Sequence, residues 1–300
     1  MKLEEQIARC LTESEKAICL FEDWEYEKDY RYSAVFTADD FETVKHAVEG
    51  IPTLEAEQNE SERTVGYDAP EPLPVRRELE EQVMLKFCFV FSAVHPQSGE
   101  EMLLKYPVLV VLHQKHQLIE MRFDVLKQYF QTQQGFYSKL VQKIRAYLKE
   151  KLAVELVPLE MNFMKETAND EVKLIAEYMN MASGGRAVLE VGDNEEWVLP
   201  FIGELKSLIQ EYHADLEKVP ALEDALNQFV YEKSEMSEFP WIELLWPNEI
   251  KTRSVRAKFT FNYGNNGFGL IQHYYNAVLI GRERMDRVIE HISANRPRDC

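Results

Sequence analysis

Between Gln82 and Leu152 three strand patterns and a helical one follow each other with almost no slack, and this stretch limits the fold more than any other. The odd positions Val83, Leu85, Phe87, Phe89, Phe91 and Ala93 repeat with a period of two, which places a row of large apolar side chains on one face of a strand. Even positions Met84, Lys86, Cys88, Val90 and Ser92 are mixed and predict a second face that is at least partly covered. Pro96, Ser98 and Gly99 supply turn chemistry before a second apolar run, Met102 to Leu112, in which Pro107 predicts an edge or a bulge. The chain returns as Leu118 to Phe123, so the expectation is a three-stranded antiparallel meander.

The apolar period then changes. Asp124 is placed to cap a helix through Val125, Leu126, Tyr129 and Phe130; after a break at Gly135, Phe136, Leu140, Val141, Ile144, Tyr147 and Leu148 form a longer helical stripe. Strands of this kind need a helix over their apolar face, so the predicted class is α+β. The full expectation is a central antiparallel β-meander covered by helices, with a C-terminal β-hairpin plus helix.

Four segments follow from the rest of the pattern. Residues 1–50 form a small N-terminal α/β unit, with a strand over Tyr30 to Phe36, a capping box at Thr37-Ala38-Asp39-Asp40 and a helix through Phe41, Val44 and Val48. Residues 51–80 make an acidic, proline-containing linker or loop. Residues 81–235 form the central core. It includes a strand over Ala153 to Leu159, a helix capped by Asn169 through Val172, Ile175, Ala176 and Met179 to Ser183-Gly184-Gly185, and a short strand over Ala187 to Val191. Helical stripes run from Trp197 to Tyr212 and from Leu222 to Val230. Residues 236–300 form a basic hairpin–helix unit. Val255 to Tyr263 alternate, Gly264-Asn265-Asn266-Gly267 turns, Phe268 to Tyr275 returns, and Met285, Val288, Ile289 and Ile292 mark the last helix before a frayed tail.

Charge and cysteine content narrow the setting. No apolar run reaches the roughly 18–20 residues of a membrane span, and the acidic start Met1-Lys2-Leu3-Glu4-Glu5 does not suit a signal peptide, so a cytoplasmic protein that does not bind membranes is expected. Cys10, Cys19, Cys88 and Cys300 have no CxxC spacing and fit reduced thiols. A net charge of −18 disfavours unspecific attraction to nucleic acid or anionic lipid. Yet residues 251–300 carry nine Lys and Arg against four acids, an asymmetry that points to a contact surface.

Candidate chemistry is sparse. His113 and His116 have HxxH spacing, but a transition-metal site needs three or four ligands, so both read as turn histidines and no metal is assigned. Asp193 with Glu204-Leu205-Lys206 matches the loose D…ExK arrangement of metal-dependent nucleases, although helical spacing separates Glu204 from Lys206. Glu249-Ile250-Lys251 matches it again at the start of an expected strand. The chain has no GxSxG, GxxxxGK or GxGxxG element, and no cofactor is expected.

Arg253, Arg256 and Lys258, with Asn265 and Asn266 at the turn, are the candidate binding residues, because bases on one face of a β-ribbon can meet phosphates or acidic protein. The expected function is a non-catalytic binding or adaptor subunit of a larger cytoplasmic assembly, for which bacterial or phage conflict is one fitting setting. Its contact surface is the basic C-terminal unit or the acidic body, and its partner is another protein or a second copy of the chain, with nucleic acid contacted through the basic unit. The alternative is a metal-dependent nuclease, or another nucleic-acid-processing enzyme, using Glu249, Lys251, Glu204 and Asp193.

Overall fold

The computed structural model describes residues 6–7, 9–10, 13–53, 64–67, 69, 71–79, 81–127, 130, 135–182, 184–191, 199–234, 236–250, 253–274 and 281–297. The protein is α+β, with mostly antiparallel β-structure. Its chain divides into two compact units. The first comprises Met1–Leu159, Gly264–Phe268 and Ile280–Ala294, the second Glu160–Tyr263, Gly269–Leu279 and Asn295–Cys300. The segment expected as one C-terminal hairpin–helix unit is therefore shared between the two. Among the described residues no helix is long and apolar enough to cross a membrane.

The first unit opens with α1 (Glu15–Glu27), β1 (Tyr32–Thr37) and α2 (Phe41–Glu49). The helix α2 is capped by Asp40 itself, whose carboxylate accepts from the Glu42 amide, so the cap is Asp40 and not the expected Thr37 box. Next come β2 (Val65–Gly66), β3 (Val75–Leu79), β4 (Gln82–Val94), β5 (Glu101–His113), β6 (Leu118–Phe123), α3 (Phe136–Leu152) and β7 (Val157–Pro158). The last helix of the chain, α7 (Glu283–Asn295), returns to this unit save for its final residue. Strand order is β2-β4-β5-β6-β1, with β3 also on β4 and β7 on β1.

β4 and β5 pair without a register shift from Gln82↔His113 to Val94↔Glu101. Pro107 stands opposite Cys88, and pairing of β5 with β6 begins only at Leu109, so the missing amide breaks no ladder on that side. Two expectations fail nearby. Asp124 does not cap a helix: its carboxylate takes Lys28 and the Arg31 amide at 3.2 Å, and 124–127 has no helical turn. The Ala153–Leu159 strand shrinks to two residues, because Ala153 ends α3 in the left-handed conformation (φ 55°) and the chain then pairs with β1 at Phe36 and Thr37, with the Leu159 amide donating to the Val35 carbonyl.

The two faces of the meander are built on different principles. On the odd face Phe87, Phe89 and Phe91 are buried beneath α3, with Phe91–Phe136 and Phe87–Tyr147 ring centroids 5.4 and 5.5 Å apart. The opposite face is covered at Met84, Lys86 and Cys88, opens at Ser92 and Val94, and contains charge. Met84, Leu109 and Val111 pack with Tyr26, Tyr30 and Met285. Beside them Lys86 is 1% exposed, its Nζ donating to Glu25 Oε2 and the Glu22 carbonyl at 3.0 Å each, over the Tyr26 ring. Arg122 and Glu120, both fully buried, pair at 2.8 Å, and Arg122 also donates to Asp286 of α7. Burial opposes charge on Arg122, but Glu120 and Asp286 outweigh it and hold the guanidinium charged.

The second unit contains β8 (Lys173–Asn180), β9 (Arg186–Glu190), α4 (Ile202–Glu211), α5 (His213–Leu216), α6 (Pro220–Ser234), β10 (Glu238–Trp246), β11 (Val255–Thr260) and β12 (Leu270–His273). Its order is β12-β11-β10-β8-β9, antiparallel throughout. The β11–β12 hairpin fits the sequence expectation, with Ala257↔His273 through Thr260↔Leu270 in register.

A clear departure from expectation is β8. Val172, Ile175, Ala176 and Met179 are spaced for a helix, yet Asn169 accepts from the amides of Glu171 and Val172 at 2.8 and 3.0 Å and turns the chain into a strand instead. Pairing to β9 on one side and β10 on the other decides the conformation. Gly184-Gly185 accordingly belongs to a hairpin turn, closed by the Met181 amide on the Gly185 carbonyl, and does not stop a helix.

Candidate functional site

The sequence-nominated residues are dispersed. Arg256 and Lys258 lie two apart on β11 and share one face of the second unit's sheet with Glu243, Trp241 and Tyr178. Both are engaged within that face. Arg256 donates through Nε to Glu243 at 2.8 Å and stacks on Tyr274, and Lys258 Nζ sits 3.4 Å from the Trp241 ring centroid. Burial lowers the Lys258 pKa despite the nearby Glu243. Arg253 precedes the strand and is exposed. Asn265, in the left-handed conformation (φ 56°), and Asn266, which donates to Ser138 Oγ and the Gly264 carbonyl at 2.8 Å each, belong to the first unit.

The nuclease set does not assemble among the described residues. Glu249 lies in a bend several residues before β11 begins, not at a strand start. Glu204 accepts from the Phe201 amide at 3.1 Å and closes the first turn of α4, whereas Lys206 lines a different cleft. Asp193 and Lys251 lie outside the described residues.

His113 and His116 have ring centroids 6.5 Å apart. The His113 ring is buried, with Nε2 3.0 Å from Glu120 Oε2 and Nδ1 3.3 Å from Gln82 Nε2, so both nitrogens serve the ionic layer under α7. Burial, and then the neighbouring His113, lowers the His116 pKa. Among the described residues no group of three or more His, Cys, Asp or Glu is arranged to hold a metal.

Two concavities of the second unit were not foreseen. One is an apolar groove of about 520 Å³. Met179, Met181, Ala187 and Leu189 of the β8–β9 hairpin form one wall; Phe201, Leu205 and Leu208 at α4 and Phe229 of α6 form the other. Several of these side chains stand in solvent: Phe201 is 75% exposed, Leu208 52% and Phe229 47%. Phe201 is held at φ 58°, a conformation that costs a bulky residue of the order of 1–3 kcal/mol. Reading β8 as a helix hid the hairpin wall, and what could have revealed it is the alternation Ile175, Glu177, Met179 running into a double-glycine turn.

Another is a lysine-lined cleft of about 360 Å³, formed by Lys165, Lys173, Lys206, Asn169 and Glu177 with apolar Val172, Leu174 and Leu199. Glu177 is 3% exposed, and burial raises its pKa against the opposing pull of Lys165 and Lys206. No family model matches the chain, and no curated protein matches it either.

Proposed function

We propose that the protein is a non-catalytic binding or adaptor subunit that seats an amphipathic, basic segment of a partner protein in the apolar groove of its second unit. The observation that carries this reading is the groove itself: apolar side chains on both walls, with Phe201, Leu208 and Phe229 about half exposed or more and gathered at one concavity. Two methionines in one wall suit a surface that adjusts to a helical ligand, since the thioether side chain is unbranched and polarisable.

Charge sets the partner's chemistry. Residues 202–234, which supply the helical wall, carry seven acids (Glu204, Glu211, Asp215, Glu217, Glu223, Asp224 and Glu232) against three lysines, within a chain of net charge −18. A helical layer with this excess of acid favours a segment with bulky apolar residues at i, i+3 and i+4 and a basic opposite face, and disfavours an acidic one. A photo-cross-linking residue placed at 201 or 229, followed by sequencing of the adduct, tests this. A basic amphipathic segment is the expected product. An acidic segment, or adducts that persist unchanged in the Leu208→Glu background, would refute it.

A further inference from the structure

We infer that the lysine-lined cleft of the second unit is a binding site for a small phosphate-type anion, held by Lys165, Lys173 and Lys206 over the buried carboxyl of Glu177. This is a site distinct from the apolar groove and does not depend on it. The cleft reverses the sign of its surroundings: in a chain of net charge −18, its lining carries three lysines and one carboxyl. The lysines come from three places, Lys165 from the 3₁₀ turn Asn162–Thr167, Lys173 from the start of β8 and Lys206 from α4, so they approach a common volume from different sides. A volume of about 360 Å³ accommodates a phosphate and a short attached carbon chain, for which Val172, Leu174 and Leu199 offer apolar contact.

Glu177 explains why the site is more than a patch of surface lysines. Its strand neighbours in register are Leu189 on β9 and Ile242 on β10, both buried and apolar. Among the described residues the charged groups that face it are lysines: Lys165, whose Nζ is 3.9 Å away and lies over the Phe239 ring, and Lys206. At 3.9 Å the ammonium does not make a close hydrogen bond to the carboxylate. A carboxyl buried so deeply and countered so loosely is readily protonated, as its raised pKa reflects. Protonated, it donates an O–H to a phosphate oxygen; ionised, it repels the anion. Anion binding is therefore coupled to proton uptake by Glu177, and the three ammonium groups, of which Lys173 also lies 3.7 Å from Asp170, supply the positive charge of the described lining.

Calorimetric titration of the full chain at low ionic strength, with inorganic phosphate in one arm and glycerol phosphate in the other, tests the site and distinguishes the free anion from a phosphomonoester. Saturable one-to-one binding is expected in at least one arm. It should weaken at least tenfold in Lys165→Gln/Lys206→Gln and remain unchanged in Arg256→Gln and in Phe229→Glu, the second of which alters only the groove. In Glu177→Gln, whose amide can donate in the same place, binding is retained and the heat no longer varies with the ionisation enthalpy of the buffer. Heats that fail to saturate in both arms, or saturable binding that survives the double lysine substitution, would overturn the inference. So would buffer-dependent heats that persist in Glu177→Gln. Lys206 is exposed, so Lys206→Gln alone keeps the test open if the Glu177 variant does not fold.

Discussion

Glu120 in the first unit and Glu177 in the second are both strand carboxyls with almost no exposure, and the two units treat them in opposite ways. Glu120 is pinned between Arg122 at 2.8 Å and His113 at 3.0 Å, and the arginine is held in turn by Asp286. Glu177 has Lys165 at 3.9 Å beside an open cleft. Charges paired this closely leave little for a ligand to gain, whereas a loosely countered buried carboxyl can still exchange its proton and accept a new neighbour. The first unit spends its polar groups on joining α1 and α7 to the meander; the second leaves its own at concave surfaces.

The largest effects should come from the first unit. Phe89→Ala removes a ring that is fully buried in the aromatic face and should cost about 3–5 kcal/mol in chemical denaturation. Arg122→Met should follow at about 3 kcal/mol, since it leaves the buried Glu120 without its guanidinium partner. Adding Glu120→Leu should recover much of that loss. If Arg122→Met instead costs less than about 1 kcal/mol, the ionic layer is not the structural counterpart of the aromatic one, and the contrast drawn between Glu120 and Glu177 fails.

How far the sequence reached follows the same division. The meander, α3 and the β11–β12 hairpin were legible because their apolar residues keep one period over many positions, and a long run of period two has no helical alternative. The ionic face was not, since Lys86, Glu120 and Arg122 look like solvated positions until α1 and α7 are folded over them. β8 was misread because Val172, Ile175, Ala176 and Met179 satisfy a helical spacing as well as a strand's, and only pairing with residues 186–190 and 238–246 distinguishes the two. The groove and the lysine-lined cleft both draw residues from that strand, so one ambiguous segment concealed Glu177 and the methionine wall together.

Smaller effects are expected in the second unit, and pH is the sharper probe there. Glu177 binds its proton more tightly in the folded than in the unfolded chain, whose value is near 4.5. Its contribution is therefore fully favourable below about pH 4.5 and is lost as pH rises through the raised folded-state value. Glu177→Gln should flatten that decline in a denaturation series run from pH 4 to 8. An unchanged slope would mean that Glu177 titrates normally and resembles a solvated carboxylate.

The smallest change in stability should accompany Leu208→Glu and Phe229→Glu. Both side chains are about half exposed, at 52% and 47%, so each substitution should alter unfolding by no more than about 0.5 kcal/mol. Each also adds a negative charge to a helical layer that already carries an excess of acid, which strengthens attraction for a basic partner at long range while removing apolar contact at short range. If the groove is the docking surface, the second effect wins: association stays fast and dissociation accelerates, because desolvated apolar contact governs how long a complex lasts. A variant that is slower to associate, with dissociation unaltered, would place the partner on the acidic helical surface and leave the groove empty, and the groove and the cleft would then share no more than their dependence on β8.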